Sequence, residues 1–237
     1  MDSCYGTPHR AVNRSARRGC GSVRGVGGQV LLAVAGNIGS GKTTLTRRLV
    51  ERLGFVGLFE STEANPYLAD FYGDMRRWAL PAQLRFLTQR VMDTRAVIDG
   101  GASAIWDRTC WEDADIFAAN LHGRGDMDDR DFDTYRMVAS QLLADVRPPD
   151  LLVYLHRSVG SCRENIARRG RDYESSIPIS YLTDLSLRYD AFFESWDRSR
   201  KLLVRAEDYD FLGSDSHMSE LVARIAESLP QRLLPFG

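Results

Sequence analysis

Near the amino end of this chain an apolar run, a glycine-rich turn and a helical pattern follow one another without a gap. The run is Gln29 to Ala35; Gly36-Asn37-Ile38-Gly39-Ser40-Gly41-Lys42-Thr43 comes next, and Thr44 leads into an amphipathic stretch. The turn fits G-x-x-x-x-G-K-[ST] in the strand-then-helix context that gives the pattern its meaning. Glycines let the backbone curl until successive N–H groups converge on phosphate oxygens, and the following helix points its positive end at the same spot. Lys42 is expected to bridge the β- and γ-phosphates and Thr43 to hold Mg²⁺. Of the 31 basic residues only Lys42 and Lys201 are lysines, so a chain that otherwise uses arginine keeps a lysine where this loop needs one.

The 237 residues, 43% of them hydrophobic, suffice for one large α/β domain. Five apolar runs, at 29–35, 56–60, 103–107, 150–155 and 201–206, read as strands. Helical patterns at 42–53, 66–98, 111–144, 159–169, 178–195 and 217–229 separate them. This alternation predicts an open five-stranded parallel sheet with helices on both faces, occupying residues 29–237. Residues 1–28, rich in Arg, Gly and Ser with Asp2 as their only acid, read as a disordered basic extension or a targeting segment. A net charge of −1 supplies no global field for nucleic acid, and no apolar run reaches the length of a membrane span. Cys4, Cys20, Cys110 and Cys162 form neither a zinc pattern nor a disulfide framework, so a soluble, cytoplasmic protein acting on a small molecule is expected.

The loop alone leaves every class of triphosphate-using enzyme open. No Asn precedes either lysine, so the N-K-x-D element that reads guanine is missing; Asp70-Phe71-Tyr72-Gly73 formally fits D-x-x-G but lies in a helical pattern. Glu60 ends the second predicted strand, where ligands bind in open α/β sheets, and a carboxylate there could take the proton of a hydroxyl acceptor. A solvated side chain or a helix cap is the plainer account of Glu60 taken by itself.

Four segments beyond the loop resemble the deoxyribonucleoside kinase family, in its order, across about 30–212. They are Glu60-Ser61-Thr62, departing from the family's Glu-Pro-Val; Tyr72 through Gln83 to Arg90, like its substrate helix; Asp107-Arg108-Thr109-Cys110-Trp111-Glu112-Asp113, like its Asp/Glu-Arg-Ser element; and Arg168-Arg169-Gly170-Arg171-Asp172-Tyr173-Glu174, like its arginine-rich lid. The resemblance implies a P-loop kinase fold with a helical substrate region at 66–145 and a lid at about 160–175. It implies Glu60 as general base, with Glu63 the alternative, Arg108 reaching both Glu60 and the transferring phosphoryl, and Asp107 joining Thr43 at the metal. Arg169 and Arg171 would close on the nucleotide; Asn165 stands where many relatives carry another arginine, for which Arg168 or Arg163 could substitute. Tyr72 and Glu174 would hold the sugar's 3′-hydroxyl, while Gln83 and an Arg90–Asp113 pair would read the base. Trp78, Phe86 and Trp111 are spaced to wall a base or to fill a core.

The expected activity is therefore ATP- and Mg²⁺-dependent phosphorylation of the 5′-hydroxyl of a deoxyribonucleoside, deoxyadenosine or deoxyguanosine first and deoxycytidine next, by a homodimer. The rivals are a nucleoside monophosphate kinase, which shares the fold but needs cations for the acceptor's phosphate, and a nucleotide-binding regulatory subunit without turnover.

Overall fold

The structure is a computed structural model describing residues 28–60, 65–171, 174 and 177–230. The expected basic extension, apart from Gly28, lies outside the described residues, as do Glu63 and the lid residues Asp172 and Tyr173.

The sheet has five parallel strands, β1 (Leu31–Ala35), β2 (Val56–Leu58), β3 (Ala104–Asp107), β4 (Leu151–His156) and β5 (Arg200–Arg205), in the order β2-β3-β1-β4-β5. Central β1 is buried at every residue, and it reads as an unbroken apolar run because helices cover both its faces. Successive side chains divide between two cores. Leu31, Ala33 and Ala35 pack with α3 (Met75–Asp99), α8 (Ile179–Ser195) and the segment after β3; Leu32 and Val34 pack on Leu45 and Leu49 of α1 (Lys42–Leu53) and on Met218, Leu221 and Ile225 of α9 (Asp215–Ser228). At one edge β2 is three residues long, and at the other β5 carries Arg200, Lys201 and Arg205, charges that discourage pairing with a further strand.

The parallel sheet with helices on both faces agrees with the sequence reading, and three boundaries differ from it. The second strand pairs only as far as Leu58, which leaves Phe59 and Glu60 just past its carboxyl end. The run at 66–98 is two helices, α2 (Leu68–Gly73) and α3, because Asp74 leaves helical geometry (φ −147°, ψ 86°) and its carboxylate accepts the Arg77 N–H at 3.1 Å, capping α3. The D-x-x-G match therefore sits in a helix. The run at 111–144 is broken into α4 (Cys110–Glu112), a π-helical turn at Asp113–Ala118, α5 (Ala119–Gly123) and α6 (Asp129–Leu143). Gly125 turns at φ +78°, and Asp128 caps α6 by accepting the Asp131 N–H at 2.9 Å.

Helix α7 (Val159–Arg169) lies directly on the phosphate loop. Gly39 holds φ +79°, and a Cβ there would stand 2.3 Å from the Cys162 carbonyl oxygen. A left-handed backbone costs a residue with a side chain about 1–2 kcal/mol before any clash is counted. Gly39→Ala is thus expected to lower the thermal midpoint by at least about 3 °C and to weaken nucleotide binding. A variant that melts with the wild type would mean that α7 does not press on the loop in this way.

Candidate active site

The phosphate loop and the start of α1 form the donor side. Gly41, at φ 100°, ends the loop, and Lys42 opens the helix with 7% of its surface exposed. Its Nζ donates to the Asn37 carbonyl at 3.0 Å, while the Asn37 side chain accepts the Ile38 N–H at 2.8 Å and donates to the Leu182 carbonyl at 2.8 Å. Burial, followed by the like charge of Arg108, lowers the proton affinity of the Lys42 ammonium. Thr43 Oγ1 donates to Asp107 Oδ2 at 2.5 Å, so a hydroxyl and a carboxylate meet at the carboxyl end of β3. These are hard oxygen donors of the kind Mg²⁺ takes, and that ion completes its shell with water and phosphate.

Two polar residues that no motif marked brace the loop from behind. Arg157 Nε donates to the Ser40 carbonyl at 2.9 Å and its Nη2 to Ala206 at 3.3 Å. Asn165, noted as departing from the family's arginine, donates from Nδ2 to the Gly39 carbonyl at 2.8 Å. Arg168 lines the open cleft beside this loop together with Arg169 and Arg171, whereas Arg163 is exposed and lies outside its lining.

On the acceptor side, Glu60 is shared between two arginines from different elements. Its Oε1 accepts from Arg108 Nη1 at 3.3 Å, after β3, and from Arg90 Nη2 at 3.1 Å, on α3. Arg90 Nε donates to Asp113 Oδ2 at 2.7 Å and its Nη2 to Asp113 Oδ1 at 3.3 Å, forming the pair that the resemblance implied. Burial alone would raise the Glu60 carboxyl; Arg108, then Arg90 and Lys42, outweigh it and hold the group at about 2, against an ordinary 4.5. The carboxylate is therefore ionised throughout the physiological range.

Arg108 adopts φ +82°, the only positive φ outside glycine among the described residues. Such a backbone persists where its surroundings overdetermine it. The Arg108 N–H bonds the Val34 carbonyl at 3.1 Å, and the next residue starts a capping box: Glu112 Oε2 accepts the Thr109 N–H at 2.7 Å while Thr109 Oγ1 accepts the Glu112 N–H at 3.3 Å. Tyr189 donates to the other Glu112 oxygen at 2.9 Å. Glu112 is thus a fully buried residue that fixes Arg108 in place, and sequence reasoning did not single it out for this role.

A cleft of about 930 Å³ brings together Lys42, Thr43, Glu60, Tyr72, Gln83, Phe86, Asp107, Arg108, Asp113, Arg169, Arg171 and Glu174. Two buried polar atoms of this cleft have no hydrogen-bond partner: Arg108 Nε, a donor, and Gln83 Oε1, an acceptor. Buried groups of that kind are costly unless a ligand satisfies them. Both arginines expected to close on the nucleotide are engaged with Glu174, Arg169 through Nε at 2.9 Å and Nη2 at 2.5 Å, and Arg171 through Nη1 at 3.3 Å. Glu174, expected at the sugar, and Arg169 and Arg171, expected at the nucleotide, are therefore one connected group. The three aromatics left open between wall and core now separate. Trp111 is core, 4% exposed and edge-on to Trp196 at 5.7 Å, and Trp78 stacks on Tyr67 at 5.7 Å. Phe86 alone of the three lines the cleft, joined by Phe117 and Tyr181.

A carboxyl held below its unfolded value adds stability that is fully present above about pH 4.5 and is lost as pH falls through about 2. In urea titrations the stability difference between the wild type and Glu60→Gln should be largest at neutral pH and shrink between pH 4.5 and 2. A difference constant across that window would remove the arginines as the cause of the shift.

Residues 32–230 match the deoxynucleoside kinase family. The chain is 33% identical over 198 residues to the deoxyadenosine/deoxycytidine kinase of Bacillus subtilis (strain 168), covering 83% of this chain and 91% of that one. It is 32% identical over 198 residues to the deoxyadenosine kinase of Dictyostelium discoideum, covering 84% and 80%. The solved structure of deoxyadenosine kinase from M. mycoides with bound dCTP is similar with a TM-score of 0.73 at 25% identity, covering 84% of this chain and all of that one. With a phosphate loop, a partly buried carboxylate and a shared cleft between them, this chain belongs to the deoxynucleoside kinase family, enzymes that transfer a phosphoryl group from a nucleotide to a nucleoside.

Proposed function

We propose that the protein phosphorylates the 5′-hydroxyl of deoxyadenosine from ATP, with deoxycytidine and deoxyguanosine as lesser acceptors. The observation that carries this reading is the ionised Glu60, which lies beside Arg108 in the cleft that also holds Lys42 and Thr43. Glu60 takes the proton of the 5′-hydroxyl as that oxygen bonds the γ-phosphorus. The bond from phosphorus to the β–γ bridging oxygen breaks with its electron pair going to ADP, and the proton later passes to solvent. Lys42 and Arg108 meet the charge on the transferring group, with Arg108 Nε as an unused donor, and Arg169 and Arg171 close over the triphosphate. Thr43 and Asp107 are the residues that would hold Mg²⁺, which when bound neutralises phosphate charge.

Tyr72 and Glu174 hold the 3′-hydroxyl, and the bulk of Tyr72 disfavours a ribose. At the base, Gln83 Oε1 needs an N–H donor while Arg90 offers donors beside Asp113. Adenine and cytosine both present an amino group next to a ring-nitrogen acceptor, whereas guanine presents its O6 acceptor at the corresponding place. The names of the Bacillus subtilis and Dictyostelium discoideum relatives support the same choice. Met92 on α3 and Met137 on α6 are 61% and 65% exposed, and these two packed helices are the face through which a homodimer would form. Dependence on ATP and the free thiols of buried Cys110 and Cys162 suit the cytoplasm.

A coupled ADP-release assay with ATP and Mg²⁺ should give turnover with deoxyadenosine at least about tenfold faster, by kcat/KM, than with adenosine, and none with the monophosphates. Turnover confined to monophosphates would make the chain a nucleotide kinase, and ATP binding without any turnover would make it a regulator.

A further inference from the structure

Arg90 touches both Asp113, the acid expected to read the base, and Glu60, the carboxylate assigned to proton removal; those two acids line the cleft, and Arg90 lines the adjoining pocket with Glu60, Phe86 and Arg108. Its Nη2 stands between Glu60 Oε1 at 3.1 Å and Asp113 Oδ1 at 3.3 Å, and its Nε anchors it to Asp113 at 2.7 Å. The Arg90, Glu60 and Asp113 side chains are 11%, 17% and 2% exposed, so solvent screens these contacts little. Arg108 Nη1 donates to the same Glu60 oxygen, so that oxygen already accepts from two cations.

A carboxylate that is held ionised this firmly is a poor proton acceptor. The charged groups bearing on Glu60 are Arg108, Arg90 and Lys42, with Asp113 and the Tyr72 hydroxyl close by. Of the three cations, Lys42 and Arg108 are needed at the phosphoryl group whichever acceptor binds. Of the three, Arg90 is the one hydrogen-bonded to Asp113, the acid that lines the cleft beside Gln83 and Phe86. An acceptor atom on a base seated against Arg90 and Asp113 competes for the guanidinium, and Nη2 is a donor already divided between two carboxylates.

We propose that Arg90 is a positioning residue that makes Glu60 responsive to the base: seating a base against Arg90 and Asp113 draws the guanidinium away from Glu60, which then accepts the 5′-hydroxyl proton more readily. This rests on the assignment of Glu60 as proton acceptor. Its consequence is selectivity expressed in kcat as well as in KM, because a sugar without the right base leaves Glu60 restrained. Removing one opposite charge at this distance changes proton affinity roughly tenfold to a thousandfold.

The test uses the sugar alone. With ATP, Mg²⁺ and saturating 1,2-dideoxyribose, the wild-type protein should turn over at least about tenfold more slowly than with deoxyadenosine, and free adenine should raise that kcat several-fold. In Arg90→Met, turnover of the baseless sugar should exceed that of the wild type, should not respond to adenine, and should show its acid limb at higher pH. A purely base-binding Arg90 would leave the pH profile in place. The proposal is overturned if adenine, shown to bind by competition with deoxyadenosine, does not raise wild-type kcat for the sugar, or if its activation survives in Arg90→Met. The adenine arm needs only the wild-type protein, so poor folding of the variant does not protect the idea. Failure of deoxyadenosine itself to react would count against the assigned activity instead, and is read out separately.

Discussion

A carboxylate taken out of water is tolerated only beside cations, and Glu60 finds two that reach it from different parts of the chain. Arg90 comes from the middle of a long helix and Arg108 from the residue after a central strand, and both are themselves largely buried. Each arginine also depends on a further group: Arg90 on Asp113, and Arg108 on the capping box of Thr109 and Glu112. Removing any one member would leave a buried charge exposed to a low-dielectric interior, a far larger penalty than the net worth of the pairs. This mutual dependence ties α3 to the sheet and places an ionised oxygen next to the phosphate loop.

The donor side follows a different logic, in which backbone geometry comes first and side chains maintain it. Gly39 and Gly41 take left-handed conformations that favour glycine, and the loop carbonyls of Asn37, Gly39 and Ser40 are held by Lys42, Asn165 and Arg157. Asn165 belongs to the helix that ends in Arg169, so the lid arm and the phosphate loop are mechanically joined. Glu174 completes the circuit by gathering Arg169 and Arg171 at the edge of the acceptor cleft.

What could be read along the chain was whatever depends on neighbours in sequence. The phosphate loop, the buried run of β1 and the strand-end position of Asp107 are local patterns, and they stand where their spacing implied, while Glu60 lies two residues past the end of β2. Helix interruptions at Asp74 and Gly125 were marked by a capping acid and by glycine, signals that the longer apolar period outweighed. Trp111 could not be judged in the same way, because a wall residue and a core residue share one helical spacing; its partner Trp196 lies on the far side of the sequence. Arg157 carries no motif, and the roles of Arg157 and Asn165 come from loop carbonyls that only folding brings near; Glu112 lies within a motif, but its burial against Tyr189 is not legible there. The contact of Arg90 with Glu60 joins two segments whose relation no pattern in either one reveals.

The account turns on Glu60 as the acceptor of the hydroxyl proton, and Glu60→Gln measures that most directly because glutamine keeps the shape and loses the base. With ATP and deoxyadenosine, kcat should fall by about 10²–10⁴ while the Kd for ATP stays within about threefold of the wild type. A variant that retains more than about a tenth of its kcat would contradict the account and move the search to Glu63.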